Sequence, residues 1–352
     1  MTDNPLIIIQ QAKDWVAGLI SGITYEDKGG YTEKDLPDGE RQYAPKFDSK
    51  GCVSWSVNNC TEIQANKRFG EWSKQNQLEM EALGYHANGR FNFSDRFLAD
   101  DSGTTTKGNT VQAVIDTIRK SGAVGEAIWP FTQDMDWETF YKDAPANVYA
   151  IARKFFWYFD VSYEWVVLDG KPTGNFANVP ECLKYHTKHS PVLITTPLCP
   201  GWHSGLVATC SGYPLAHATT VYSVSDYIYI LDHYEPFLKK LHLDYPIPWA
   251  MKKVITPKND YIHTTLKLGD VGEEVRKLQK FLNLSEDTAV AKTGIGSKGN
   301  ESNYYGTKTA DAVLRLQKKY GGFSVWELYW LKGGTFGQKS KALVNRLAKS
   351  IQ

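Results

Sequence analysis

The chain has 352 residues, 40 Lys+Arg against 39 Asp+Glu, a net charge of +1, and is 42% hydrophobic and 13% aromatic. That length predicts about two domains, the apolar share suffices for packed cores, and no run reaches membrane-spanning length, so no membrane partner is expected. The charge is uneven: 264–352 carries 15 Lys+Arg against 8 Asp+Glu, the remainder 25 against 31.

In chain order, residues 1–40 read as an N-terminal extension, with an amphipathic start over Trp15–Ile20 and then a Gly- and Asp-rich loop. The first residues are no signal peptide, because the apolar run Leu6–Ile9 is short and acids flank it where basic residues should stand. Residues 41 to about 160 form a helical half. Its main helix follows Gly51-Cys52, with Trp55, Val57, Ile63, Ala65 and Phe69 and few breakers. Residues 161 to about 250 form a strand-rich half. Phe155–Phe159 and Tyr163–Val167 are apolar strand candidates, and Ala218–Tyr222 and Tyr227–Leu231 read as a hairpin. Proline-bearing runs at Pro246–Pro248 and Thr256–Asp260 mark the exit, giving a domain over 41–250 and a linker over 251–263. Residues 264–352 form a second domain. It has three helical units, each opened by a glycine turn: after Gly269-Asp270-Val271-Gly272, after Tyr305-Gly306-Thr307, and after Gly334–Gly337. In the first, Val275, Leu278, Phe281 and Leu282 share one face. The Gly-, Ser- and Thr-rich stretch 285–303 reads as an exposed loop.

Three polar residues fall where nucleophilic chemistry would want them. Cys52 opens a helix behind a glycine, where free backbone N–H groups favour a thiolate. His217 precedes one hairpin strand, and Asp232 lies just past the end of the other, where a carboxylate can orient an imidazole. A base that takes the thiol proton and a group that holds the base are the parts of an activated cysteine nucleophile.

Several landmarks around these residues resemble papain-like cysteine peptidases over roughly 40–250. Cys52-Val53-Ser54-Trp55-Ser56 is similar to the family's Cys-Trp-Ala-Phe-Ser. Phe93–Leu98 resembles the segment after the active-site helix, Gly122–Phe131 the Gly-Val/Leu-x-x-Glu-x-x-Tyr-Pro-Tyr run, and Ser190–Ile194 the start of the second half. The resemblance implies an α+β fold, with a helical half and a strand-rich, barrel-like half, and a Cys52–His217–Asp232 triad. The family's third residue is usually Asn, and Asp232 departs from it; either accepts the second imidazole N–H, and the carboxylate also favours the imidazolium. The oxyanion-hole Gln also departs. Lys46 stands six residues before Cys52, and the nearest Gln, Gln42, stands ten before. Gln42 is a second oxyanion donor if the Tyr43–Lys50 loop lets it reach; otherwise it is an ordinary surface amide and only the Cys52 N–H donates.

The 264–352 region resembles the small all-α peptidoglycan-binding-like module of cell-wall hydrolases, which implies wall contacts near Asp270, Gly272, Tyr305 and Gly306. Its excess of basic residues suits anionic wall polymers. Nucleic acid is set aside as a partner because no recognition motif accompanies the charge. The spacing of the five cysteines dictates no framework. Cys52 and Cys60 would sit about 12 Å apart on one helix, too far to bridge, so mostly free, buried thiols are expected. No metal or other cofactor is implied.

The combined reading is a cysteine endopeptidase acting on a peptide or protein and directed to bacterial peptidoglycan. With no signal peptide, it suits a phage lysin or virion-associated hydrolase, held in the host cytoplasm until lysis or carried on the virion. Two other readings remain: a virion or surface wall-binding protein whose peptidase half is a weak or inactive scaffold, and a processing protease for structural proteins.

Overall fold

The computed structural model describes residues 30–257, 262 and 264–349. The expected amphipathic start over 15–20 lies outside the described residues. The chain divides into two compact units between residues 258 and 259.

The first unit is α+β, with a helical half followed by a strand-rich half, as the sequence suggests. Helix α1 (Cys52–Arg68) is its axis and is buried from Cys52 through Ala65. Several of its buried polar side chains are hydrogen-bonded, mostly to the helix's own carbonyls. Ser56 Oγ donates to Cys52 O, Thr61 Oγ1 to Val57 O, and Gln64 Nε2 to Cys60 O and Lys253 O. Before it, Gly51 is close-packed: a Cβ there would come within 2.5 Å of the Trp55 ring. On one side α1 packs against α3 (Asp95–Asp101) and α4 (Val111–Ser121), α2 being Lys74–Ala82.

On its other side lies one eight-stranded sheet. Its strands are β1 (Phe159–Leu168), β2 (Lys171–Pro172), β3 (Val192–Pro197), β4 (Leu206–Val207), β5 (Leu215–Val224), β6 (Ile228–Leu231), β7 (Leu238–Leu241) and β8 (Trp249–Pro257). Their spatial order is β2-β1-β8-β3-β5-β6-β7-β4, antiparallel except for the β7–β4 pair. Cys52, Val57 and Cys60 of α1 join Phe93, Ile115, Leu193, Ala218 and Met251 in a core shared by both halves.

Two expectations need correction here. Phe155–Tyr158 is a helical turn, and the strand begins at Phe159; an aromatic run without alternation carries no period to tell the two apart. The domain does not end at 250, because β8 runs to Pro257 between β1 and β3. Lys252 and Lys253 disguise it as linker. Both are buried, Lys252 paired with Glu164 at 2.9 Å and Lys253 donating to Val57 O and Thr61 Oγ1. As expected of most of the five cysteines, Cys52, Cys60 and Cys182 are buried thiols, and Cys199 and Cys210 form a disulfide.

In the second unit, helices α6 (Glu273–Leu282), α7 (Thr307–Tyr320) and α9 (Gln338–Lys349) correspond to the three glycine-turn units, α5 being Val179–His186 of the first unit. They share a core of Val275, Leu278, Leu282, Tyr305, Val313, Leu316, Phe336 and Leu343. Gly333 is required at the crossing, since a Cβ there would come within 1.8 Å of Ala310 O. A short helix that the sequence reading did not anticipate, α8 (Val325–Leu331), starts at a capping box of Ser324 and Glu327. It leaves Val325, Trp326, Tyr329 and Trp330 exposed.

Candidate active site

Cys52 is the first residue of α1, so its sulfur sits where the leading N–H groups of the helix lack intrahelical acceptors. His217 is the third residue of β5 and faces Thr196 of β3. The β5–β6 hairpin sets Leu231 against Thr220, and Thr219 Oγ1 donates to Leu231 O at 2.8 Å, pinning the end of β6. The next residue is Asp232. Its Oδ1 lies 2.6 Å from His217 Nε2, which leaves His217 Nδ1 as the nitrogen for the thiol. All three residues are buried.

The electrostatics fit an ion-pair base. Burial by itself would lower the His217 pKa, but the charge and hydrogen bond of Asp232, and then the Cys52 thiol, raise it to about 9. At Asp232, burial works upward but loses to His217, His233 and Lys239, which hold the carboxyl far below the usual range. His217 is thus protonated across the neutral range.

Sequence reasoning missed the groups that surround Asp232. Its Oδ2 accepts from Trp202 Nε1 at 2.7 Å and from Lys239 Nζ at 2.7 Å. Lys239 is fully buried and also donates to Tyr234 O and Pro236 O. Alternation was the only available signal: in Leu238-Lys239-Lys240-Leu241, Lys239 falls on the inward face with Leu241. Trp202 belongs to the loop closed by the Cys199–Cys210 disulfide. Its ring lies 5.3 Å edge-on to His217, and Tyr234 lies 5.3 Å from the same imidazole.

Gln42 is not a surface amide. It is fully buried, and its Nε2 donates to Asp48 Oδ1 at 2.9 Å and to Tyr234 Oη at 2.8 Å, with Tyr234 Oη donating in turn to Asp48. Both amide protons are therefore engaged within the site, and service to an oxyanion requires one of them to exchange partners. Burial and then Asp48 raise the Tyr234 pKa, so the phenol remains a donor.

His217, Asp232 and His233 have ligand atoms within 4.8 Å of one another, the metal-like grouping among the described residues. It fits a divalent ion poorly. Asp232 already serves His217, Trp202 and Lys239, and the buried Lys239 ammonium would face the ion. Burial depresses His233 to about 3.

In the second unit, Asp270, Gly272, Tyr305 and Gly306 do come together. Tyr305 N donates to Asp270 O, Gly269 N to Tyr305 O, and Asp270 Oδ2 accepts from Lys267 N. Gly306 caps α7, as Gly272 caps α6. Tyr305, however, is fully buried and donates its hydroxyl to Gly333 O at 2.7 Å, which places it in the core and not on a ligand-facing surface.

No family model matches the chain, and no curated protein matches it. Among solved structures it is similar to xylellain, a cysteine protease from Xylella fastidiosa, at 13% identity and a TM-score of 0.45 over 72% of this chain and 95% of that one. It is also similar to the bromelain protease of Ananas comosus, at 11% identity and TM-score 0.42 over 62% and 94%. A third likeness is to digestive procathepsin L 3 of Tenebrio molitor larval midgut, at 12% identity and TM-score 0.43 over 67% and 72%.

Proposed function

We propose that the first unit is a papain-like cysteine endopeptidase and that the second directs it to the bacterial cell wall. The observation that carries the peptidase reading is the set Cys52 at a helix start, His217 in β5, and Asp232 at 2.6 Å from the imidazole. In the resting ion pair the proton sits on His217 Nδ1, and the Cys52 thiolate attacks a peptide carbonyl carbon. The carbonyl electron pair moves to oxygen and faces the Cys52 N–H. His217 then protonates the departing amine as the tetrahedral species collapses to a thioester. Water, deprotonated by His217, hydrolyses that thioester and restores the thiol.

The wall-directed part rests on the basic balance of 264–352 and on the exposed aromatics of α8, Trp326 at 71%, Tyr329 at 61% and Trp330 at 73%. Flat aromatic faces beside lysines suit sugar rings in an anionic polymer. A phage lysin or virion-associated hydrolase fits this pairing. Zymography on purified walls tests it: a clearing band from the full chain that is lost in Cys52→Ala is expected, and clearing of casein alone points to a processing protease. One observation favours the scaffold reading, namely that Cys52 and His217 are both 0% exposed. Failure to cleave walls, casein and a peptide library would establish that reading.

A further inference from the structure

The stretch that delivers Cys52 to its helix is organised around one carboxylate that the triad does not use. Tyr43–Ala44 pairs with Phe47–Asp48 as a short antiparallel ribbon, and Ser49 N donates to Gln42 O at 3.1 Å. Gln42 and Asp48 are thereby neighbours at the open end of the ribbon. Asp48 Oδ1 accepts from Gln42 Nε2 at 2.9 Å and from Lys50 N at 2.8 Å, and Oδ2 accepts from Tyr234 Oη. Lys50, two residues before the nucleophile, has φ 60°, in the left-handed region that side-chain-bearing residues rarely enter. Asp48 thus fastens the Gln42 amide, the turn into α1, and the tyrosine whose ring lies 5.3 Å from the His217 imidazole. Burial first, and then the charges of Asp48 and Cys52, raise the Tyr234 phenol, so both charges act on one ring.

The two N–H bonds of Gln42 are not equivalent. One goes to the Asp48 carboxylate and the other to the neutral phenol oxygen of Tyr234, at 2.8 Å. Hydrogen bonds to an ionised acceptor are roughly twice as strong as those to a neutral one. A developing oxyanion therefore competes well for the N–H on Tyr234 and poorly for the N–H on Asp48. Gln42 Oε1 is sealed from solvent and has no donor among the described residues, so that side of the amide fixes nothing. Turning the amide over would set Oε1 against the Asp48 carboxylate and offer the oxyanion an acceptor. Asp48 forbids that orientation.

We propose that Asp48 is a positioning residue for the oxyanion site: it anchors one Gln42 N–H, keeps the amide donor-first, and leaves the other N–H on Tyr234 Oη until the oxyanion takes it. Through Lys50 N the same carboxylate fixes the turn into Cys52, whose backbone N–H is the other donor. The inference rests on the peptidase reading of the first unit.

Two thiol reagents separate this role from a structural one. p-Nitrophenyl acetate acylates a thiolate through a tetrahedral oxyanion and expels p-nitrophenolate, which is followed by absorbance. Iodoacetamide alkylates the same thiolate by displacement of iodide, and no oxyanion forms. Both rates at Cys52 are measured on the full chain near neutral pH, with Cys52→Ala as the blank. Gln42→Ala should slow acylation at least about 10-fold, as loss of an oxyanion donor does. Asp48→Asn, which keeps an acceptor for Lys50 N and so keeps the turn, should slow it by about 5-fold or more, the difference between a charged and a neutral anchor. Alkylation of Asp48→Asn should be as fast as wild type or faster, because removing a negative charge favours a nearby thiolate. In a Gln42→Ala background, Asp48→Asn should change acylation by less than about 2-fold, since Asp48 acts through Gln42. Wild-type acylation rates in Asp48→Asn, alkylation slowed in step with acylation, or effects that multiply in the double variant each overturn the proposal and leave the peptidase reading standing. A wild-type Cys52 that alkylates but never acylates removes the peptidase reading, and the proposal with it.

Discussion

Replacing Asp232 by Asn gives the triad position the residue that papain-like enzymes usually carry, and from sequence alone that change looks mild. The structure predicts a large penalty. Asp232 is the counter-ion of Lys239, whose side chain is 0% exposed, and the acceptor for Trp202 Nε1. In Asp232→Asn, the amide Oδ1 can still serve His217, but its NH₂ then faces the Lys239 ammonium and the Trp202 N–H, donor against donor. Removing one partner of a buried pair costs about 3–5 kcal/mol. For a domain of this size, that lowers Tm by roughly 2–4 °C per kcal/mol. Burial already lowers the Lys239 pKa against the pull of Asp232, so losing the carboxylate drives it further toward the neutral amine. Lys239→Met in the same background should recover part of the loss, because the unpaired cation is gone. A double-mutant cycle by thermal and urea unfolding should show a coupling of about 2 kcal/mol or more. An Asp232→Asn protein within about 1 kcal/mol of wild type, or strictly additive single variants, would refute this role for Lys239.

With His217 raised to about 9, the imidazolium contribution to stability is complete below the unfolded value of about 6.5 and is lost as pH rises through about 9; the kcat/KM profile should fall on its alkaline side near 9, and Asp232→Asn should move that fall to lower pH. Gln42→Ala should lower kcat by about 10²–10³ if an amide proton turns to the oxyanion, and should lower Tm with little change in kcat if the Asp48 and Tyr234 bonds are its whole role. Residues 259–352 expressed alone should fold, since they hold their own core, and should sediment with purified walls. Loss of that binding when salt shortens screening below about 8 Å assigns it to charge, whereas loss only on Trp326→Ala with Trp330→Ala assigns it to the aromatic face.

Much of this architecture was legible in the sequence because it depends on local pattern. The Cys52 helix, the β5–β6 hairpin and the glycine-turn helices of the second unit all carry their own period or turn chemistry. What was hidden depends on tertiary partners. Strand β8 reads as linker until Lys253 is seen donating into α1 and Lys252 meeting Glu164. Lys239 reads as a surface charge until Asp232 is found opposite it. The Cys199–Cys210 bridge joins loop residues that no periodicity relates. Helix α8 has its capping signal in Ser324 and Glu327, but its aromatic face stays exposed and gives no core pattern to follow.

Nucleophile identity is tested most directly by timed iodoacetamide labelling of the native chain near neutral pH, followed by peptide mass spectrometry. Cys60 and Cys182 are buried thiols raised by that burial to about 12 and about 11, and Cys199 and Cys210 are tied in a disulfide. Cys52, at a helix start beside a protonated His217, should be modified first, and loss of activity should follow its labelling one for one. Labelling of Cys60 or Cys182 at the rate of Cys52, or activity that survives complete Cys52 modification, would contradict the account.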